Sequence, residues 1–394
     1  MRIVICTDTF PPEINGVATS TLYMKRAFEA HGHEVLVITT NPFTNKITYE
    51  KDIVRIPGLV MKKMFNYRFT WFYHSKVTKY VKKFKPDVIH VQSDLGVGFY
   101  GRIISYLLHV PAVYTYHTQY EDYTYYFSDM FKGHFDRIAK NAIRWFVGFI
   151  ADMADEFITP SKKIKNYLRQ IGIESYINIV PTGIDFTRFL PESQDSDALK
   201  KKKEKLGIDE NTITLLCLGR VDKAKSVDVV IDYYYSFRKK HKNLKMKLLI
   251  VGDGPHKDEL EATSIKYGLK DEILFLGKVM NDEVGFYYNL ADIYVSASTS
   301  ETQGLTYLEA MAAKRILLVR YDDNLYDLID SGRSGYFFNS EEDFIRKLET
   351  IIDMDEVSKD KMKELAFKKL DEYSIETFYE RIKKVYERAI KKNW

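Results

Sequence analysis

Two carboxylates eight residues apart, Glu301 and Glu309, frame the segment Ser300-Glu301-Thr302-Gln303-Gly304-Leu305-Thr306-Tyr307-Leu308-Glu309. Between them a Gly-Leu-Thr turn opens an apolar helical run that continues through Met311. Backbone N–H groups at a helix start have no partner within the helix, and they sit at its positive end, so they favour phosphate oxygens. A carboxylate further along the same helix, Glu309, can accept both hydroxyls of a ribose or a hexose. Gly304 allows close backbone approach to a ligand. An anion site and a polyol site on one short segment suit a nucleotide-sugar better than a bare nucleotide. The plain alternative is a surface loop leading into an amphipathic helix with two solvated glutamates.

A second cluster is Gly219-Arg220-Val221-Asp222-Lys223-Ala224-Lys225-Ser226. Arg220 ends an apolar strand-like run, and Lys225 is expected to open the next helix. Two cations so placed can bracket a pyrophosphate and neutralise the charge it gains on leaving. Lys223 is expected to face water. In Glu13-Ile14-Asn15-Gly16-Val17, Gly16 falls between the first strand and the first helix and lets backbone approach a diphosphate, although an ordinary turn explains it equally. Tyr116-His117-Thr118-Gln119-Tyr120-Glu121-Asp122-Tyr123 puts His117 at a strand end, ahead of an acidic-aromatic loop. His117 there is suited to donate a hydrogen bond to a sugar hydroxyl, and Glu121 and Asp122 to meet an acceptor. Gly96-Val97-Gly98-Phe99-Tyr100-Gly101 matches the dinucleotide fingerprint, but it follows the fourth strand rather than the first. Small residues that let a helix pack closely on a sheet explain it better. Gly252-Asp253-Gly254-Pro255 reads as turn chemistry.

Strand ends and helix starts must hold these residues. Strand candidates Arg2–Asp8, Glu34–Thr40, Ile53–Pro57, Asp87–Gln92, Ala112–His117 and Glu156–Pro160 alternate with helical periodicity in the first half. Candidates Ile213–Arg220, Met246–Gly252, Ile273–Gly277, Asp292–Ala297, Ile316–Arg320 and Gly335–Phe338 do the same in the second. Such alternation predicts an α/β fold with parallel sheets covered on both faces. Ligands of open sheets bind outside the carboxyl ends of the strands, so two facing sheets place the active site in the cleft between them. The polar stretch Pro191 to Lys205 reads as a solvated junction. It divides the chain into residues 1–190, residues 191–373, and an amphipathic helix over 374–394.

A length of 394 residues suits two domains, and 45% hydrophobic against 29% charged residues suits an ordinary globular core. Cys6 and Cys217 lie in apolar runs and read as small buried hydrophobes of a reducing compartment. Neither a signal peptide nor an apolar run of membrane-spanning length is expected. Residues 1–185 carry 23 Lys and Arg against 17 Asp and Glu, while the remainder carries 36 against 38. The excess concentrates in residues 61–85, which hold eight Lys or Arg, no acid, and Phe65, Tyr67, Phe69, Trp71, Phe72, Tyr73, Tyr80 and Phe84. A nucleic-acid footprint usually makes a whole domain basic, so no nucleic-acid partner is expected. An anionic membrane surface fits this basic-aromatic region better than a merely solvated helix face. Lys132, Arg137, Lys140, Arg144, Trp145 and Phe146 are candidates to extend it. The sequence lacks zinc-type Cys/His spacing, a Walker loop and a Gly-x-Ser-x-Gly elbow, and no metal ligands are expected.

Together these residues resemble the retaining glycosyltransferases of GT-B fold, in the large family that includes sucrose synthases and phosphatidylinositol mannosyltransferases. The likeness spans nearly the whole chain, through Glu301 and Glu309, Arg220 and Lys225, Asn15-Gly16-Val17 and His117. Tyr-His-Thr-x-Tyr-Glu-Asp-Tyr at 116–123, Pro-Thr-Gly-Ile-Asp at 181–185 and Glu-Thr-Gln-Gly-Leu-Thr-Tyr at 301–307 are similar to bacterial diacylglycerol glucosyltransferases. The resemblance implies two Rossmann-like domains facing across a cleft. Residues 1–190 then bind acceptor and membrane, residues 191–373 bind the nucleotide-sugar, and the C-terminal helix returns toward the N-terminal domain. Arg220 and Lys225 hold the donor diphosphate, with backbone N–H groups of Leu305 and Thr306. Glu309 binds ribose, Glu301 orients the donor sugar, and His117 contacts that sugar near its 6-hydroxyl. UDP-glucose is the implied donor and 1,2-diacylglycerol the implied acceptor, at the cytoplasmic face of the cell membrane as a peripheral protein. No tightly bound cofactor is implied, and a divalent cation enters only as a stimulant. Lys314 and Ile316 depart from the family, which commonly has Gly and Pro there. The same enzyme class with GDP-mannose and phosphatidylinositol, or with a soluble sugar, stays open, as do same-face and double-displacement routes to retention. A nicotinamide-dependent oxidoreductase resting on Gly96–Gly101 and a sugar-binding protein without catalysis are the alternatives from other classes.

Overall fold

The computed structural model describes residues 1–13, 15–61, 67–117 and 136–392. Glu121, Asp122 and Tyr123 lie outside the described residues, as do Lys62, Lys63, Phe65 and Lys132. The chain divides into two compact units, Met1–Gly183 with Ile375–Trp394, and Ile184–Ser374.

The first unit opens with β1 (Arg2–Cys6), α1 (Gly16–Ala30), β2 (Glu34–Thr40), β3 (Thr48–Tyr49), β4 (Ile53–Ile56), β5 (Leu59–Met61), β6 (Tyr67–Phe69) and α2 (Ser75–Phe84). It continues with β7 (Val88–Val91), α3 (Gly96–Leu108), β8 (Ala112–Thr115), α4 (Asp136–Asp152), β9 (Glu156–Thr159), α5 (Lys162–Gln170) and β10 (Ile177–Ile179). Eight strands form one sheet in the order β10-β9-β8-β7-β1-β2-β4-β3, parallel except for β3.

The second unit contains α6 (Ser196–Lys205), β11 (Ile213–Leu218), α7 (Val227–Lys240), β12 (Met246–Val251), α8 (Lys257–Lys266), β13 (Ile273–Gly277) and α9 (Val284–Tyr288). After these come β14 (Ile293–Ser296), α10 (Leu305–Ala312), β15 (Ile316–Arg320), β16 (Tyr336–Phe338), α11 (Glu341–Asp353) and α12 (Glu356–Lys368). Its six strands are parallel in the order β13-β12-β11-β14-β15-β16. The last helix, α13 (Ile375–Lys392), belongs to the first unit.

Helices cover both sheet faces, so the central strands are apolar on both sides instead of alternating. In the first unit Val4, Cys6, Ile89 and Val91 pack with Val77, Tyr100 and Val147 from α2, α3 and α4. On the opposite face Ile3, Ile5, Val37 and Val113 pack with Phe28 of α1 and with Phe378, Ile382, Val385 and Tyr386 of α13. These α13 positions recur at helical spacing, which makes one apolar stripe. Tyr379 sits edge-on to Phe28 at 5.0 Å and stacks on His31 at 3.6 Å. Arg388 adds a 2.6 Å bond to Asn178 and a 3.2 Å ion pair to Glu156.

Strand order reverses once in each sheet, between β1 and β7 and between β11 and β14. At such a point neighbouring loops leave in opposite directions and open a crevice at the carboxyl ends. The loops bordering the second crevice run from Gly219 to Ser226 and from Ala297 to Gly304.

One expectation changes in the structure, and the reading of Gly96–Gly101 as close helix packing holds. Pro191 to Lys205 is solvated, with no buried residue, but it is folded rather than a plain linker: Asp195 accepts the N–H groups of Asp197 and Ala198 at 3.0 Å and caps α6. An aspartate at that place starts a helix by satisfying its orphan donors. The second unit begins ahead of this stretch, at Ile184. The Gly96–Gly101 run packs a helix on the sheet. A Cβ on Gly98 would lie 1.9 Å from the Ser93 carbonyl oxygen, and one on Gly101 2.8 Å from Cys6 Cβ. Asp8 Oδ1 accepts the Val97 N–H at 2.7 Å, so a fixed carboxylate already fills the place a pyrophosphate would need.

Lys314 adopts φ of +55°, a left-handed conformation that glycine takes without strain, and Glu364 holds its ammonium at 2.8 Å. His109 ends α3 in the same left-handed region, with φ of +53°, and is exposed. An L residue in that region carries strain that glycine lacks. His109→Gly is expected to stabilise the chain by about 1 kcal/mol in urea unfolding; a lower midpoint would refute strain at this cap.

Candidate active site

Asp222 organises the loop after β11. It is 2% exposed, and its Oδ2 lies 2.5 Å from Arg220 Nε. Its Oδ1 accepts the Lys225 N–H at 3.1 Å and so caps the one-turn 3-10 helix Lys223–Lys225. Lys225 thus ends a short turn ahead of α7 instead of opening that helix. Its ammonium reaches Glu301 Oε1 at 2.6 Å. The loop after β14 is tied alongside by hydroxyls: Ser300 Oγ donates to the Ala224 carbonyl at 2.9 Å and Ser298 Oγ at 3.4 Å. Two segments far apart in sequence are thereby joined at the reversal of strand order.

Gly304 is the hinge between that loop and α10. Its φ of +81° is left-handed, and a Cβ there would lie 2.4 Å from Tyr307 Cδ2. Tyr307 cannot yield, because it is fully buried and its hydroxyl bonds Ser296 Oγ at 3.0 Å. Leu305 and Thr306 are the first two residues of α10, so helix geometry leaves their N–H groups for a ligand. Arg220, Lys225, Glu301 and Thr306 line one cavity with Gly219 and Ser296. Cys217 also lines it, with its thiol pushed up to about 12 by burial, so it is inert.

Glu309 is placed differently. It is buried inside α10, and its Oε2 accepts the Tyr288 hydroxyl at 2.9 Å. Burial pushes its carboxyl up to about 7, against the opposing effects of the Tyr288 bond and the Arg188 charge. Asp222, Tyr288 and Arg188 escaped the reading of the sequence. Asp222 had a local signal, an aspartate three residues before Lys225, the spacing of a cap; Tyr288 and Arg188 had none.

Gly16 and His117 belong to the first unit. Gly16 is the first residue of α1, capped by Asn15, whose Oδ1 accepts the Ala18 N–H at 2.9 Å, and the space above Gly16 is open. His117 follows β8 and is partly exposed, and its Nε2 meets Gln92 Oε1. Desolvation lowers its pKa to about 4, so the ring is neutral near pH 7. Among the described residues no group of His, Cys, Asp and Glu is arranged to hold a metal.

Comparison with known proteins matches this geometry to a class. Residues 14–188 match the model of Glycosyltransferase Family 4, and residues 199–369 match that of Glycosyl transferases group 1. The structure of HepE from Anabaena, solved with UDP-glucose, superposes with a TM-score of 0.74 at 14% identity, over 98% of this chain and 99% of that one. Sucrose-phosphate synthase from Thermosynechococcus elongatus gives 0.74 at 17% identity, over 98% of each chain. The fold is therefore GT-B, with a parallel-sheet domain in each half. The chain is 36% identical over 354 residues to the alpha-monoglucosyldiacylglycerol synthase of Acholeplasma laidlawii, covering 88% of this chain and 87% of that protein. It is 33% identical to the protein of that name from Streptococcus pneumoniae, covering 100% and 87%. The chain belongs to Glycosyltransferase Family 4 and is a glycosyltransferase.

The state of Glu309 has a consequence for stability. The folded carboxyl keeps its proton up to about pH 7, whereas an unperturbed one ionises near 4.5. Its contribution is complete below the lower value and is lost as pH rises through the higher one, in all by roughly 3 kcal/mol. Glu309→Gln, neutral at every pH, should match the parent chain near pH 4.5 and exceed its stability by about 2–3 kcal/mol at pH 8. Denaturant unfolding at the two pH values checks this; a difference that does not grow with pH contradicts a raised carboxyl.

Proposed function

We propose that this protein moves glucose from UDP-glucose to the free hydroxyl of 1,2-diacylglycerol, with retention at the anomeric carbon, on an anionic membrane surface. The observation that carries the reading is the convergence of Arg220, Lys225, Glu301 and Thr306 on one cavity at the reversal of strand order. The names of its relatives in Acholeplasma laidlawii and Streptococcus pneumoniae supply the glucosyl group and the lipid acceptor.

The chemical difficulty is departure of UDP from an oxocarbenium-like transition state. Negative charge grows on the diphosphate as the bond breaks, so fixed cations stabilise the transition state more than the bound substrate. Arg220 and Lys225 supply that charge, with the N–H groups of Leu305 and Thr306 beside them. Glu309 takes the ribose hydroxyls, Glu301 orients the glucose, His117 meets it near the 6-hydroxyl, and Gly16 leaves room for the diphosphate. Attack from the face that UDP leaves preserves configuration, and the leaving phosphate accepts the proton of the attacking hydroxyl. No step is assigned to a bound cation.

Membrane contact is assigned to the first unit. Trp71, Phe72 and Tyr73 are exposed just before α2, and Lys76, Lys79, Lys82 and Lys83 project outward from that helix while Val77 and Val81 are buried. On α4, Arg144, Trp145 and Phe149 are exposed, with Trp145 stacked on Phe149 at 5.7 Å. Phe146, expected on this face, packs partly buried against the core instead. Rings at headgroup depth and lysines above anionic lipid are the components of a peripheral anchor, each cation adding about 1 kcal/mol. Among the described residues no helix is long and apolar enough to cross a membrane.

Incubation with UDP-glucose and diacylglycerol in mixed vesicles, followed by product analysis, tests the reading; turnover only with GDP-mannose or only with a soluble acceptor would replace it. Lys225→Ala should lower kcat by the equivalent of about 2–4 kcal/mol. An unchanged kcat would remove Lys225 from the leaving-group site. Replacing Lys79, Lys82 and Lys83 by serine should weaken sedimentation with anionic vesicles and make residual binding less sensitive to salt. Undiminished sedimentation would move the docking surface elsewhere.

A further inference from the structure

Beneath His117 the first unit buries a chain of polar side chains. Gln92, His90 and Thr115 lie at the carboxyl ends of β7 and β8, Met24 on α1 and Tyr386 on α13. All five are at most 5% exposed. His90 Nδ1 lies 2.7 Å from the Tyr386 hydroxyl, and its Nε2 lies 2.7 Å from Thr115 Oγ1 and 3.1 Å from Gln92 Nε2. Gln92 Oε1 meets His117 Nε2. Both the Gln92 amide, at 3.4 Å, and the Tyr386 hydroxyl, at 3.5 Å, reach Met24 Sδ.

The thioether gives this chain a direction. Sulfur in methionine only accepts, so it takes the Tyr386 proton and one Gln92 amide proton. Tyr386 has then no proton for His90, and His90 Nδ1 must be the donor. A neutral ring with a proton on Nδ1 has a bare Nε2, which accepts from Thr115 and from the other Gln92 amide proton. Gln92 therefore turns its oxygen to His117, and that oxygen requires a proton on His117 Nε2. What remains on His117 is Nδ1 with a lone pair. Burial lowers the pKa of His90 to about 3 and of His117 to about 4, so neither ring escapes this logic by taking a second proton near pH 7. The opposite polarity leaves the sulfur without a donor and faces it with the lone pairs of two oxygens.

We propose that Gln92, His90 and Tyr386 are positioning residues that hold His117 as the Nε2–H tautomer, so that its Nδ1 accepts a hydrogen bond from the donor sugar. This rests on the reading of His117 as a sugar contact, and it reverses the direction expected from the sequence, in which His117 donates. The specificity follows: the sugar must offer a hydroxyl hydrogen at that position. The terminal helix, through Tyr386 and His90, thereby sets the chemistry of His117.

Two measurements separate the relay from the sugar contact. In ligand-free protein labelled with 15N-histidine, two-bond nitrogen–proton correlations report each tautomer, with His117 assigned by His117→Asn. His117 should be the Nε2–H form in the parent chain. Tyr386→Phe, which takes away the acceptor of the His90 proton, and Met24→Leu, which takes away the sulfur, should each yield a mixture or the opposite form. Both variants conserve volume, and a thermal melt confirms their folding. An Nδ1–H form in the parent chain, or no change in either variant, would overturn the relay. In the second measurement UDP-glucose is compared with its 6-deoxy and 6-deoxy-6-fluoro analogues. Fluorine cannot donate, so both analogues should lose kcat/KM equally, by about tenfold or more. Recovery with the fluoro analogue would show that His117 donates and would overturn the proposal. His117→Ala with unchanged kcat/KM would instead remove His117 from the sugar site while leaving the tautomer result intact.

Discussion

The geometry of the cavity in the second unit depends on one buried carboxylate. Asp222 gives one oxygen to the Arg220 guanidinium and the other to the Lys225 backbone N–H. A half-buried cation without a counter-charge carries a desolvation cost of several kcal/mol and swings toward water. Paired to Asp222, Arg220 stays 35% exposed at the edge of the cavity, and Lys225, paired to Glu301, stays 29% exposed. Attraction between charges is several-fold stronger at such sites than in open water. The cations are thus held at the cavity, and on the proposed function they need not be gathered when a diphosphate arrives.

The arrangement follows from strand order more than from any single residue. Parallel strands covered on both faces must be apolar throughout, which leaves the loops at their carboxyl ends as the places where charge is tolerated. Reversal of order between β11 and β14 sets two such loops side by side, one carrying the cations and the other the carboxylate. Hydroxyl bonds from Ser298 and Ser300 to a single carbonyl, that of Ala224, then fix their spacing. A left-handed Gly304 turns the second loop directly into α10, so the helix start faces the same cavity.

Much of this is legible in the amino-acid sequence. Apolar runs ending in Arg220 and Ala297 mark strand ends, and the glycine between Glu301 and Glu309 marks the helix start, because periodicity and turn chemistry are local properties. Partnerships across the fold were not legible. Nothing near Glu309 announces that Tyr288 bonds it. Nothing near His117 announces Gln92, which reads as the ordinary end of a strand. The polar composition of Pro191–Lys205 matches its exposure but does not announce the helix, which the single Asp195 cap starts. Phe146 and Phe149 differ only in which face of α4 they occupy, a distinction that needs the phase of the helix and not its content.

Two polar clusters of the molecule are satisfied in opposite ways. Around Asp222 charge is matched with charge. Beneath His117, the groups from Met24 to His117 form a chain that is neutral from end to end, which avoids the large cost of burying ions. A neutral chain has a property that a set of ion pairs lacks. Each hydroxyl and each neutral imidazole has one proton to give, so fixing the direction of one bond fixes the next. Attractions between charges tolerate small rotations; a directed chain reverses as a whole or not at all. Its ends therefore matter more than its middle. One end is the Met24 sulfur, which can only accept, and the other is Nδ1 of His117. On this reasoning the return of α13 to the first unit serves chemistry as well as packing, because it supplies the hydroxyl through which the sulfur orients the ring.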